Sequence, residues 1–364
     1  METSRLIDLF LQTARINALS GNEKPLADFI KSFLKQYNYS VTEDDSWHYS
    51  KSNTGNLICK IGDGGNFLLS SHMDTARPTE GVKPLIDDEK ITSSGDTVLG
   101  VDNRVGVTVL LYLLEKIAKE KIPVKDFTLV FTTCEETTLF GSKYLGINGQ
   151  INKGFVFDSG FRPGNFIHSA CGALGFKIRI IGKASHSGIA PEKGINALLV
   201  AAKSISKLPL GRIDEETTMN IGLIKGGSAV NVIPEFAELE GEVRSFDLKK
   251  AENYFNKLVD TFKEESDSAG AKFELMYDWD FLPFTVTENS DVYKETFKAL
   301  TKVGLTPTPK ISLGGSDANS LNGKGIQSVN LGIGAQNPHS NDEFIFIKDL
   351  VKTAEIAFEL VKKN

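Results

Sequence analysis

The 364-residue chain carries 41 Lys and Arg against 47 Asp and Glu, a formal net charge of -6, with 40% hydrophobic and 24% charged residues. Such a length is comfortable for two domains, and the composition is that of a soluble globular protein. The acidic balance argues against a nucleic-acid partner or an anionic membrane surface, and no apolar run approaches the roughly 20 residues a membrane span requires.

The first segment places Leu6, Leu9, Phe10 and Leu11 at helical spacing, interrupted by Glu2 and Asp8, which is not the pattern of a signal peptide. Three cysteines, Cys59, Cys134 and Cys171, form no CxxC pair and leave an odd count, which suits a reducing compartment and leads to the expectation of a cytoplasmic protein. Residues 26–36 read as an amphipathic helix. Residues 66–71, 127–133 and 154–157 read as short apolar strands, and 103–118 is apolar nearly all round, the pattern of a buried helix. Alternating β and α elements imply a largely parallel sheet with helices on both faces.

After residue 172 the texture changes. A strand-like alternation is followed by an Ala-rich helix (196–206), strands near 218–225 and 235–245, a long amphipathic helix (249–266) and a strand at 272–278. This β-α-β-β-α-β order suits a small α+β domain. A helix (291–302), a Gly-rich loop and an apolar strand (327–332) return to the first texture. The expected organisation is an α/β catalytic domain formed by 1–172 and 282–364, with a lid domain, 173–281, inserted into it.

Polar residues gather at the C-terminal ends of the predicted strands. FLLSSHMD delivers His72 and Asp74, FTLVFTTCEE delivers Glu135 and Glu136, GFVFDSG delivers Asp158, and SVNLGIGAQNPH delivers His339. Ligands of open parallel sheets bind at the carboxyl ends of the strands, so these side chains can converge. Asp102 opens the buried helix and could reach the same edge. Imidazole and carboxylate are ligands for zinc, cobalt or manganese. Two histidines and three carboxylates are too many for one catalytic ion but suit two ions sharing a bridging carboxylate, and two dications less three carboxylates leaves a net charge of about +1. Taken singly, each residue has a plain structural role open to it, such as a helix cap for Asp102 or Asp158 and a solvated turn for Glu135 and Glu136. The joint pattern carries the inference.

These motifs, His72-Met73-Asp74, Gly100-Val101-Asp102-Asn103, Glu135-Glu136, Asp158 and Asn337-Pro338-His339, resemble in order the five metal-site motifs of the M20 metallopeptidases, and within them the peptidase T branch. The resemblance implies that His72 and Asp158 hold one ion, Glu136 and His339 the other, and Asp102 bridges them. It implies that Asp74 orients His72, that Glu135 is the general base, and that a cis peptide bond follows Asp102. It further implies that His186 stabilises the oxyanion and that Asn231, Arg244, Gly314, Gly315 and Asn337 contact substrate, Arg244 by gripping a carboxylate. Asp317 and Asn337 are candidates for anchoring a substrate amine. The related M42 enzymes insert their extra domain between HxD and the bridging aspartate. Here it falls between Asp158 and His339, as in M20. The resemblance implies aspartate at position 158 in aminopeptidases and dipeptidases and, as a rule, glutamate in carboxypeptidases and deacylases, so Asp158 favours an aminopeptidase.

The expected activity is release of the N-terminal residue from short peptides, with two divalent ions, zinc foremost. A homodimer through the lid is consistent with the resemblance. An N-acyl amino acid deacylase or dipeptidase on the same scaffold is the first alternative, and a non-catalytic peptide-binding protein the second. A dinucleotide site at Gly332-Ile333-Gly334 lacks its third glycine and following helix.

Overall fold

The computed structural model describes residues 1–147 and 149–363. Contacts divide the chain into two compact units: Met1–Ser169 with Phe284–Ser312 and Ser316–Asn364, and Ala170–Pro283 with Leu313–Gly315.

The first unit is built on a nine-stranded sheet. Its order is Val41–Glu43, Leu57–Ile61, Phe127–Thr132, Phe67–His72, Lys153–Ser159, Gln327–Gly332, Asn165–Ala170 and Phe284–Thr285, with Thr308–Ser312 also pairing to Asn165–Ala170. The four central strands run parallel, while Leu57–Ile61 and Asn165–Ala170 flank them antiparallel. Phe67–His72 and Phe127–Thr132 are buried at every position, as strands covered on both faces must be. These are the expected α/β fold and its mainly parallel sheet. The flanking strands were not apparent from the sequence, and neither was the C-terminal helix Ile347–Val361.

The apolar segment after Asp102 is a helix, Val101–Glu120, whose first turn is irregular: Asp102 and Asn103 have non-helical dihedrals, and the peptide bond between them is cis. The helix packs on Phe67–His72 and Lys153–Ser159 and against helices Thr3–Ala14 and Ile347–Val361. Gly106 permits that approach. A Cβ there would lie 2.4 Å from Phe157 O and 2.5 Å from Ser71 Oγ. Any side chain would push the start of the helix, and Asp102 with it, away from the ends of the two strands.

The second unit is an antiparallel sheet in the order Gly211–Arg212, Thr217–Gly226, Phe236–Ser245, Gly172–Ile181, Lys272–Phe281, with helices Ala197–Ser206 and Leu248–Ala269 packed on it. Leu174, Phe176, Ile178 and Ile180 alternate into a core with Val200, Leu239, Val243, Phe255, Leu258 and Phe262. Phe176 pairs with Gly241, where a Cβ would lie 2.5 Å from its ring, so the glycine makes room for the phenyl group. Helix Leu248–Ala269 opens on Asp247, which accepts from Lys250 N at 3.1 Å, and closes on Gly270 at φ +71°.

The division departs from the expected one at three places: residues 170–172, 282–283 and 313–315, the last including Gly314 and Gly315, all expected in the catalytic domain, group with the second unit. Leu313 O accepts from Arg244 Nη1 at 2.9 Å and faces Cys171 Sγ at 3.0 Å, and Gly315 lies against the Phe281 ring, where a Cβ would come within 2.4 Å.

Candidate metal centre

The parallel strands bring the first ligands together through their register. His72 pairs with Thr132, so the turn after Thr132 begins beside His72 and carries Glu135 and Glu136. Asp158 ends the neighbouring strand Lys153–Ser159. The loop after Gln327–Gly332 brings His339 back, with φ +52° at Asn337 and +66° at His339.

The carboxylate of Asp102 faces two ways. Its Oδ1 lies 3.0 Å from His72 Nε2, which is 3.2 Å from Asp158 Oδ1. Its Oδ2 lies 3.5 Å from His339 Nε2, which is 3.0 Å from Glu136 Oε1. Two groups of nitrogen and oxygen atoms, His72/Asp102/Asp158 and Asp102/Glu136/His339, therefore share one carboxylate, and a third, His72/Glu135/Glu136, overlaps them. Ligand atoms about 2.0–2.1 Å from a tetrahedral ion lie roughly 3.3 Å apart, the spacing found here.

Asp74 organises the centre from behind. His72 Nδ1 lies 3.1 Å from Asp74 O and 3.3 Å from Asp74 Oδ1, which places a proton on Nδ1 and turns Nε2 toward Asp102 and Asp158, where an ion would take its lone pair. The same carboxylate accepts the backbone N–H groups of Glu135 and Glu136, each at 3.1 Å, and the hydroxyl of Ser20 at 2.7 Å. One buried side chain thus fixes a histidine tautomer and the turn that carries both glutamates.

The electrostatics are those of crowded carboxylates. Burial pushes Glu135 well above the ordinary glutamate range, and Asp158 adds repulsion. Burial also raises Asp158 and Glu136. The nearby Asp102 and Glu136 carboxylates raise His339 to about 10. For His72, burial works against the charge but Asp102, Asp158 and Asp74 outweigh it.

Known proteins place the chain as a whole. The peptidase dimerisation domain family matches residues 168–269, and the M42 glutamyl aminopeptidase family matches 85–202. A tripeptidase from Staphylococcus aureus superposes with a TM-score of 0.92 at 32% identity, covering 100% of this chain and 98% of its own. Aminopeptidase PepT from Bacillus cereus does so with a TM-score of 0.88 at 32% identity, covering 99% and 98%. The uncharacterized protein YqjE of Bacillus subtilis is 33% identical over 99% of this chain and 98% of its own. The chain belongs to the M20 peptidase family, close to peptidase T.

An M20 peptidase is metal-dependent, and the centre fits divalent cations. Glu136 Oε1 is buried and, although 3.0 Å from His339 Nε2, receives no aligned hydrogen bond. Buried carboxylates that outnumber their donors are costly until positive charge is supplied.

In this M20 chain several supporting residues escape a reading of the sequence. Asn103 Nδ2 donates to Phe157 O at 2.7 Å and lies 3.3 Å from Asp158 Oδ1, while Asn330 Nδ2 donates to Asp158 Oδ2 at 3.2 Å. Glu23 Oε1 accepts from Cys134 N at 2.9 Å, bracing the turn one residue before Glu135. Arg104 is fully buried and donates to Thr13 O, Met73 O and Ile16 O at 3.2, 2.6 and 3.2 Å. Arg104 alone left a readable signal, a charge in the otherwise apolar run NRVGVTVLLYLL.

The expected substrate residues fall in both units. In the second, Ser187 N donates to Asn231 O at 3.0 Å and His186 bridges to Val232, so His186 and Asn231 sit together. His186 Nδ1 accepts from Gly188 N at 3.2 Å and Ile189 N at 3.3 Å, which puts the neutral ring's proton on Nε2. The fork of Arg244 is engaged: Nε and Nη2 donate to the two oxygens of Glu242 at 2.9 and 3.0 Å. In the first unit, Asn337 Nδ2 donates within its own loop to Asp342 O at 3.3 Å. Asp317 is buried, accepts from Thr132 Oγ1 at 2.5 Å, and is raised by burial to about 6.

Proposed function

We propose that this M20 peptidase is an aminopeptidase of short peptides. In this reading His72, Asp158, Glu136 and His339 hold two divalent ions, zinc foremost and cobalt or manganese as alternatives, with Asp102 shared between them. The observation that carries it is the two-sided Asp102 carboxylate, 3.0 Å from His72 and 3.5 Å from His339. The names of the similar tripeptidase and aminopeptidase PepT support the substrate class.

Two ions bound there would polarise a scissile carbonyl and lower the pKa of water toward neutrality. The protein's own groups do the rest. Glu135 takes the proton from the attacking water and passes it to the leaving amine. Asp74 holds Glu135 in place through its backbone N–H. His186, with its proton on Nε2, donates to the developing oxyanion. Arg244 reaches a substrate carboxylate only by exchanging Glu242 for it. The dimerisation-domain match supports a homodimer through the second unit.

The deciding experiment is a metal-reconstituted assay on a panel of di-, tri- and tetrapeptides beside their N-acetyl forms. Cleavage of free-amine tripeptides with release of the first residue is expected. Preference for the N-acetyl forms would replace the reading with a deacylase, and no metal-dependent turnover would return the chain to a binding role. His186→Ala is expected to lower kcat by about 100-fold, the scale for loss of one oxyanion donor. Two bound ions should remain. An unchanged kcat would remove His186 from the reaction.

A further inference from the structure

Glu343 takes no part in the chemistry described above, yet it ties two ligand-bearing loops together. It is 2% exposed. Its Oε2 accepts from Gly100 N at 2.6 Å and Val101 N at 3.3 Å, the two residues before Asp102. Its Oε1 accepts from His339 N at 2.7 Å. The two ends of one carboxylate thus hold backbone groups 239 residues apart in sequence (339 less 100). The loops need such a tie, because both leave regular structure at residues with positive φ: Gly100 at +74°, Asn337 at +52° and His339 at +66°. Glu343 is itself well anchored. It directly precedes the strand Phe344–Phe346, which pairs antiparallel with Lys90–Ser93.

The remaining ligands have other supports. His72 is held by Asp74, Asp158 by Asn103 and Asn330, and Glu136 by Asp74 through its backbone N–H. Two exposed side chains also tie the His339 loop down, Arg77 Nη1 donating to His339 O at 3.2 Å and Asn341 Nδ2 to Gly95 O at 2.9 Å, but Glu343 is the buried tie between the residues beside Asp102 and His339, whose Oδ2 and Nε2 lie 3.5 Å apart.

We infer that Glu343 is a positioning residue for one ion only, the ion shared by Asp102, Glu136 and His339, and that it preforms that half-site by clamping the Asp102 and His339 loops to each other. The inference rests on the two-ion reading. Loss of the clamp frees the His339 loop, whereas Asp102 keeps a second anchor in the adjoining Asn103, whose Nδ2 donates to Phe157 O at 2.7 Å and whose Oδ1 accepts from Gly106 N at 2.9 Å, and His72 and Asp158 keep their own supports. Groups that orient metal ligands from behind are worth about 10–100-fold in metal affinity. Glu343 acts on the loop backbone rather than on a ligand side chain, so its effect is confined to the ligand that depends on the loop.

The test is competitive titration of the ion-free full-length protein with Zn²⁺ against a chromophoric chelator, comparing wild type, His339→Ala, Glu343→Gln, Glu343→Asp and the His339→Ala/Glu343→Gln double variant. Glu343→Gln keeps the shape but places an amide N–H₂ against a backbone donor. Glu343→Asp keeps the charge but is one methylene too short for both loops. Circular dichroism verifies folding, and Glu343→Asp decides the matter if Glu343→Gln does not fold. Wild type should bind two ions, and His339→Ala one tightly. Both Glu343 variants should bind one ion as wild type does and the other about 10–100-fold more weakly. The double variant should match His339→Ala.

Equal affinity for both ions in the Glu343 variants, within twofold of wild type, would overturn the inference. So would equal weakening of both ions, which is what a general structural role produces. A wild type that binds fewer than two ions would bring down the two-ion reading itself, and the inference with it, a result distinct from either of those.

Discussion

Replacing Glu135 by Gln is expected to leave both bound ions in place and to lower kcat by about 10²–10⁴-fold, the range over which a positioned general base contributes. The side chain is half-buried and lies among Asp158, His72 and Glu136, so the isosteric amide fits the same space. The turn itself survives, because Asp74 holds it through the backbone N–H groups of Glu135 and Glu136 rather than through their side chains. The amide cannot take a proton from the attacking water, and KM should change little, because the interaction lost belongs to the transition state. Metal analysis beside steady-state kinetics separates the outcomes. An unchanged kcat at full ion content places the base elsewhere. Loss of an ion makes Glu135 a ligand, a role the His72/Glu135/Glu136 grouping would accommodate.

How much of this centre could be read from the sequence follows from the range of each interaction. A strand that ends in a polar residue is a local pattern. His72, Glu135, Glu136 and Asp158 were therefore visible at the ends of apolar runs, and a parallel sheet brings such ends together without further information. The run after Asp102, apolar apart from a few residues such as Arg104, identified a buried helix. In the second unit, the alternation from Leu174 to Ile180 and the long amphipathic helix Leu248–Ala269 carried the order of elements.

Contacts between distant segments left no such trace. Glu343 holds Gly100 across 243 residues and Asn330 holds Asp158 across 172, and neither has a neighbour in sequence that marks it. The flanking antiparallel strands are also set by pairing partners rather than by their own pattern. The Glu242–Arg244 pair was legible in principle. Residues two apart on a strand share a face, so an acid at that spacing is placed to engage the guanidinium before any substrate arrives.

Arg104→Met should destabilise the ion-free protein by about 3–5 kcal/mol, the cost of breaking a buried charge arrangement by removing one partner. The guanidinium is the largest fully buried side chain, and all three of its hydrogen bonds go to backbone carbonyls, Thr13, Met73 and Ile16. Burial lowers it to about 10, and the carboxylates of Asp74, Glu343, Glu23 and Asp102 act in the opposite direction, so it remains a cation at neutral pH. Methionine fills much of the volume yet leaves three buried acceptors unpaired and removes the positive charge those four acids share. Arg104→Lys should lose less, because the charge stays while a single ammonium group cannot reach all three carbonyls in the same planar arrangement. Urea unfolding of the ion-free variants measures this. Trp47 and Trp279 are the two tryptophans of the chain, one in each unit, so a Trp279→Phe background leaves Trp47 to report on the unit that contains Arg104. A midpoint equal to that of the parent would mean that the acids around the centre do not require this cation. The charge balance would then have to be met without it, by protons on the crowded carboxylates.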